Sequence, residues 1–345
     1  WKKKYPPQEV KVQRKNLSAY TTKKDGGRVI RLDEEHKCPF LSENRLCRLV
    51  SAYGDSVLSE TCTVFPREVH RFETHEEEVL MPCCPAVINL WAEEENVVFP
   101  EVPENGRNLR TMIREKMMEM FRNKEQSIEE TLLESFYILL ELYQAEQEDT
   151  LSEERIENYF SREAVKELKT AILAINLPFL DTMDECNELL QDLAVNYLEE
   201  GLYEEYLEPL ITQAEQLSEM AEDLLLSKWD AFCRQLEACY PLLRSFLANE
   251  MYSDLLAPDD TSTEHMLIRL QWTAIQYAAI RQALFLTYLP ENAGTLSYES
   301  VRKALVILTR MTGYEEEDIY EYLENSFESL LWDFGYLAFI MGSSL

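Results

Sequence analysis

Apolar residues recur at spacings of three and four over most of the chain. Leu132, Leu133, Phe136, Leu139, Leu140 and Tyr143 line one face of a helix. Ser127-x-x-Glu130 in front of them is a capping box, in which a hydroxyl and a carboxylate satisfy the first free amides reciprocally. Thr261-x-x-Glu264 opens a second such helix, along which Leu267, Leu270, Ala274, Tyr277, Ala278 and Ile280 are set. A third is expected from Tyr298 to Thr312, stopped by Gly313, and Leu323, Phe327, Leu330, Leu331, Phe334 and Leu337 mark a last one. No period of fixed length repeats, so the pattern predicts an irregular multi-helix domain rather than a solenoid.

The N-terminal part follows another pattern. Leu17 to Thr22 and Arg28 to Leu32 are strand-like runs on either side of Lys23-Lys24-Asp25-Gly26-Gly27, a tight-turn signal that predicts a β-hairpin. Ser42-Glu43-Asn44 reads as a turn, and Arg45 to Tyr53 as a short helix ending near Gly54. Pro100, Pro103, Asn105 and Gly106 mark a connection. The expected fold class is therefore mainly α: a small cysteine-rich region with a β-hairpin over 1–103, and an acidic helical domain over 104–345.

Composition agrees with this division. Of 345 residues 46% are hydrophobic, enough for a substantial core, and nine glycines leave the intrinsic preference helical. The net charge of -31 is uneven: residues 1–71 hold 15 Lys and Arg against 9 Asp and Glu, a balance of +6, and the remainder holds 18 against 55. So acidic a remainder argues against a nucleic-acid partner and suits a lysine-bearing one. Glu93 to Glu95 and Glu315 to Glu317 read as solvated faces. The chain begins at Trp1, no segment resembles a signal peptide, and the apolar stretch Leu330 to Met341 is too short for a bilayer and broken by Asp333. The expectation is a cytoplasmic protein without a membrane partner.

Five of the eight cysteines, Cys38, Cys47, Cys62, Cys83 and Cys84, fall in one stretch. Soft thiolates gathered this closely point to a metal centre, with buried apolar thiols as the competing reading. Cys186, Cys233 and Cys239 belong to predicted helices and read as core. Arg45, Arg48, Arg67 and Arg71 make the cysteine stretch locally basic, which favours thiolates and anionic ligands. The spacing matches neither the paired C-x2-C of zinc ribbons nor the close triplet of ferredoxins, and leaves structural zinc and an iron-sulfur cluster both open. No G-x-G or P-loop is present, and His36, His70, His75 and His265 do not form H-E-x-x-H.

The residues from Asp33 through Cys38-Pro39-Phe40-Leu41 to Leu46-Cys47, then Thr61-Cys62, Phe65-Pro66-Arg67 and Cys84-Pro85-Ala86, resemble the flagellin lysine-N-methylases. In that family CPFL-x4-LC is followed by TC-x2-(Y/F)PR and S-C-P-E-A elements, and Cys83 stands here where the family has serine. Phe334-Gly335-Tyr336-Leu337-Ala338 is similar to the family's aromatic C-terminal helix. The family's N-terminal cysteine group has no counterpart in this chain. The resemblance implies methylation of the ε-amino groups of surface lysines on flagellin, with S-adenosylmethionine and a 4Fe-4S cluster. It assigns Cys38, Cys47, Cys62 and Cys84 as the matching thiolates. On that reading Arg48 and Arg67 are candidates for the cofactor carboxylate, while Glu68, Glu76 to Glu78 and Tyr53 lie near enough in sequence to take the lysine proton but read as solvated. A zinc-stabilised interaction module and an iron-sulfur redox protein are the rival classes, separated by metal content and by methyl transfer.

Overall fold

Short strand pairs form near the start of the chain and helices thereafter. The computed structural model describes residues 11–12, 15–24, 27–34, 37–94, 97–175, 177–199, 201–217, 219–290, 295–311, 316–327, 331 and 334–342. It divides into two compact units at Glu68 and Val69.

In the first unit β1 (Lys11–Val12) pairs antiparallel with β2 (Lys15–Asn16), and β3 (Thr21–Lys24) with β4 (Gly27–Ile30). The expected hairpin thus forms with Lys24 opposite Gly27, although Leu17–Tyr20, read as strand, is a 3-10 turn. Its turn residues Asp25 and Gly26 lie outside the described residues. α1 (Arg48–Tyr53) begins three residues later than expected, because Arg45 adopts a φ of 60° that no α-helix accommodates. Gly54, at φ 79°, stops it where glycine was read as a terminator. α2 (Glu60–Val64) is capped by the Ser59 hydroxyl on the Cys62 amide. Phe40, Leu49 and Val57 form a small core against which Tyr20, Ile30, Cys38 and Cys47 pack.

The second unit opens within β5 (Arg67–Arg71), of which Val69 to Arg71 belong to it, and continues with its partner β6 (Glu76–Leu80) and α3 (Pro85–Glu93). Then come α4 (Leu109–Arg122), α5 (Ile128–Gln147), α6 (Glu153–Tyr159), α7 (Arg162–Ile172), α8 (Phe179–Glu199) and α9 (Glu204–Leu217). α10 (Glu222–Leu236), α11 (Tyr240–Asp254), α12 (Thr263–Tyr288), α13 (Tyr298–Met311), α14 (Glu316–Ser326) and α15 (Phe334–Met341) complete it. The fold is mainly α, as the periodicity implied. The two units part ahead of the 103/104 border read from the Pro, Asn and Gly connection, because β6 and α3 pack onto α11, and α3 also onto α13.

Sequence pattern and structure agree at α5, where Ser127 and Glu130 form the full reciprocal capping box. At α12 the cap is Ser262, one residue beyond Thr261, and its hydroxyl accepts from the His265 amide. α12 also differs in character. It was read as one-faced, yet from Thr263 to Leu286 only Glu264 and Arg269 are not buried. α5, α8, α9, α10, α11, α13 and α15 surround it, which makes it the axis of the unit. The single terminal helix expected from Leu323 to Leu337 is two helices, α14 and α15, because Ile319 and Leu323 of one and Leu337, Ile340 and Met341 of the other must all reach the same core. Gly313 lies outside the described residues. Among the described residues no helix is long and apolar enough to cross a membrane.

A helix buried all round must satisfy its polar side chains internally. Arg281 of α12 reaches Glu129 Oε1 of α5 at 3.2 Å and the carbonyls of Ile340 and Met341 at the end of α15 at 2.7 and 3.3 Å. Tyr277 donates to the same Glu129 oxygen at 2.7 Å, and Cys186 of α8 donates its thiol to Ile340 O at 3.4 Å. Burial alone would lower the Arg281 pKa, but the Glu129 charge outweighs it and the guanidinium is held charged. Cys186 is a core cysteine, as read, and Cys233 and Cys239 pack against that core.

Glu134 of α5 is buried without a cation of its own. Gln126 donates to its Oε2 at 2.8 Å, while Oε1 has no hydrogen-bond partner among the described residues. Burial, aided by the charge of Glu130, raises its pKa to about 7 against the pull of Gln126 and Lys169. The folded chain therefore holds this proton more tightly than the unfolded chain. Its stabilising effect is complete below the ordinary glutamate range and is lost as pH rises towards about 7. Glu134→Gln removes that loss: relative to the native chain, its unfolding free energy in urea should rise by roughly 2–4 kcal/mol between pH 4 and pH 8. A pH-independent difference would show that Glu134 titrates in the fold as it does in the unfolded chain.

Candidate functional site

Three of the predicted thiols lie together in the first unit. Cys38 opens a tight turn in which the Leu41 amide donates to Cys38 O at 2.9 Å, and Leu41 forms an isolated antiparallel bridge with Cys47. The amides of Phe40 and Leu41 also point at the Cys38 sulfur, and the sulfurs of Cys62 and Cys47 are close enough for their charges to be felt there. Burial raises the Cys38 pKa, the like charges of Cys62 and Cys47 raise it further, and the two amides oppose the rise. Cys38 and Cys47 are half-buried and Cys62 is exposed; all are free thiols.

Arg48 braces this turn. Its amide donates to Phe40 O at 2.8 Å and its Nη2 to Pro39 O, while its buried Nε has no hydrogen-bond partner among the described residues. Arg67 and Arg45 are exposed, and Arg71 is paired with Glu76 at 3.0 Å. Burial and two amides thus define the surroundings of the Cys38 sulfur, and Arg48 keeps one buried cationic donor without a hydrogen bond among the described residues. Among the described residues, no three His, Cys, Asp or Glu side chains are spaced to hold a metal ion. Cys84 belongs to the second unit, where it is the N-cap of α3 and only 8% exposed; Cys83 is buried next to it. His36 lies outside the described residues.

The second unit contains a polar site that the sequence reading passed over. Alternation along β6 turns Glu77 and Val79 inward and leaves Glu76 and Glu78 outside, so Glu77, read as solvated, is buried. It is met by Arg114, which stands in the apolar stripe of α4 with Ile113, Met117, Met118 and Phe121. The Arg114 guanidinium grips Glu77 with both Nη atoms at 2.8 and 2.6 Å, donates to Tyr252 O at 3.0 Å and lies 4.6 Å from the centre of the Tyr252 ring. His75 Nε2 is 2.9 Å from Glu77 Oε1, and Phe72 stacks on the imidazole. Burial would raise the Glu77 pKa, but Arg114 and His75 hold it below the usual range. Tyr252 is pushed up to about 12 by burial and by the Glu77 charge. Gly106 has a steric role here, since a Cβ on it would stand 3.0 Å from Thr74 Oγ1 and 3.2 Å from His75 Nδ1.

Outside this pair is a cavity of about 240 Å³. It is lined by residues 99–102, Arg107, Tyr252 and a strip of α4. Phe99 stacks on Tyr252 with ring centres 4.8 Å apart, and the Arg122 guanidinium lies 5.7 Å from the Phe99 ring centre. Two cations and two rings thus follow one another as Arg114, Tyr252, Phe99 and Arg122. Glu115 and Glu119, one turn apart on α4, line the same space.

Comparison with known proteins adds the following. A family model described as the FliB lysine N-methylase C-terminal domain matches residues 114–340. A stretch of 50 residues is 42% identical to the flagellar biosynthetic protein FliU of Salmonella muenchen, covering 14% of this chain and 30% of that protein. Lysine-N-methylases of Salmonella typhimurium and Salmonella choleraesuis match at the same identity and length, with 12% of each covered. The matches thus span well under two thirds of these relatives. No solved structure matches.

The Glu77 and Arg114 pair makes a separate prediction. Glu77→Gln leaves a buried guanidinium without its counter-charge and should cost about 3–5 kcal/mol at pH 7 in urea unfolding. Because the folded carboxyl titrates below its unfolded value, its contribution is present above the ordinary glutamate range and disappears as pH falls through the folded pKa. The gap between variant and native chain should therefore narrow on acidification, and equal unfolding midpoints at pH 7 would rule the pair out as a stabilising element.

Proposed function

Since the chain belongs to the FliB lysine N-methylase family, we propose that it methylates the ε-amino groups of surface lysines on flagellin, in the cytoplasm, with S-adenosylmethionine as donor and a cysteine-bound 4Fe-4S cluster. The family match across 114–340 supports lysine methylation, and a flagellar biosynthetic protein among the relatives supports a flagellar substrate. What supports the metal centre is that Cys38, Cys47 and Cys62 share the first unit, with Cys47 and Cys62 near enough for their charges to act on Cys38.

Cys38, Cys47 and Cys62, which share the first unit, would hold the cluster. With three thiolate ligands it would, when bound, keep one iron open as a Lewis acid for which the donor's amino and carboxylate groups have affinity. Arg48 would offer Nε to an anion while its Nη2 keeps the Pro39 turn in place, and exposed Arg67 would add a second positive charge. In the transfer, the lysine nitrogen lone pair forms the bond to the methyl carbon. The bond from methyl to sulfonium breaks, its electrons stay on sulfur as a thioether, and the nitrogen gives up one proton. A free lysine has a pKa near 10.4, so that proton needs an acceptor or a displaced equilibrium. Glu77 is unsuited to accept it, being buried and held ionised by Arg114 and His75. The acidic helical unit favours approach of a lysine-bearing protein.

The test is anaerobic purification of the chain with iron, zinc and sulfide analysis, followed by incubation with flagellin and methyl-labelled donor. A brown protein with iron and sulfide is expected, with label on flagellin lysines. Cys38→Ser, Cys47→Ser and Cys62→Ser should each lose iron and transfer. Zinc without sulfide would favour an interaction module, and an iron-sulfur protein leaving flagellin unlabelled would favour a redox role.

A further inference from the structure

The cavity beside α4 has no part in the reading above, and its chemistry points to a ligand. Of the charges around it, Arg114 is neutralised by Glu77 and Arg107 faces Glu101 at 3.7 Å. Glu115 and Glu119 are exposed and, among the described residues, make no hydrogen bond or ion pair. The exposed side chain of Arg122 touches the Phe99 ring and, among the described residues, pairs with no carboxylate. Uncommitted charge therefore stands at two carboxylates against one guanidinium. That guanidinium rests on an aromatic face, where cations are attracted by the ring quadrupole.

We propose that this cavity seats the lysine side chain of the protein substrate, a placement that rests on the methylase reading for its substrate class. The apolar stem would lie along Met118 and the stacked rings of Phe99 and Tyr252. The ammonium would meet Glu115 and Glu119 and share the Phe99 face from which Arg122 swings out. Aromatic faces also accept methylated ammonium, whose larger, more weakly hydrated charge still attracts them, so the seat tolerates lysine at every degree of methylation. An acid or a zwitterion would instead be drawn to Arg122 and Arg107 and repelled by the two glutamates. The residues are positioning residues for the substrate; none is assigned to the transfer itself.

The experiment titrates Nα-acetyl-lysine methylamide, its Nε-trimethyl form, the neutral norleucine analogue and the glutamate analogue into the full chain, followed by NMR. Both lysine forms should bind, more tightly than norleucine and glutamate. Glu115→Gln with Glu119→Gln should weaken lysine binding on the order of fivefold to tenfold. Arg122→Ala should tighten it, because the competing cation is gone. The three substituted side chains are exposed, so circular dichroism and the unfolding midpoint should stay unchanged. Preference for the glutamate analogue, equal binding of lysine and norleucine, or native affinity in the double variant would overturn the proposal. Methylation assays separate the two readings. Transfer by the native chain with an unchanged KM in the double variant discards the lysine seat and keeps the methylase. Lysine binding lost in the double variant, with no transfer by the native chain, keeps the seat and discards the methylase.

Discussion

A guanidinium in the middle of an apolar core is costly to desolvate, and the helical unit is arranged so that Arg281 recovers that cost. Its partners come from α5, through Glu129, and from the carbonyl end of α15, with Cys186 of α8 bonded to the same carbonyl of Ile340. The Trp229 ring of α10 faces the guanidinium at 5.5 Å. Four helices are thereby referred to one atom group on α12. The Arg114 and Glu77 pair repeats the solution for α4, β6 and α11, again with an aromatic ring over the guanidinium.

This second pair connects core to chemistry. Arg114, Met118 and Phe121 occupy the buried stripe of α4, and Glu115, Glu119 and Arg122 the next stripe round, which is wet. One helix is thus both a wall of the core and a wall of the cavity. Its side chains face the cavity from a backbone that the buried ion pair holds in place. Tyr252 belongs to both sides as well, with its carbonyl taken by Arg114 and its ring stacked on Phe99.

Much of the fold was legible because it depends on local signals. The hairpin at Thr21 to Ile30, the stop at Gly54 and the box at Ser127 and Glu130 each follow from one or two residues acting on their own backbone. What was not legible depends on partners far along the chain. Periodicity ran straight through the break between α14 and α15, and Thr261 was preferred over Ser262, one residue from the true cap. Glu77 was read as one of three solvated acids, yet the signal was there: it shares the inward phase of β6 with Val79, and Arg114 interrupts an apolar stripe. A charge at an inward position on two elements marks a buried pair. In the cysteine stretch, the resemblance assigned Cys38, Cys47, Cys62 and Cys84 together, of which only the first three share a unit, and the bracing of the Cys38 turn by Arg48 emerged only from coordinates.

The reach of Arg281 also bears on how the unit is made. Its carbonyl partners are 59 and 60 residues further along. While the chain is still leaving the ribosome, α5 and α12 can already meet through Glu129, but the guanidinium between them is only partly satisfied and the axial helix is open on the side that α15 covers. The side of α12 that α15 covers can close only once that helix has been made.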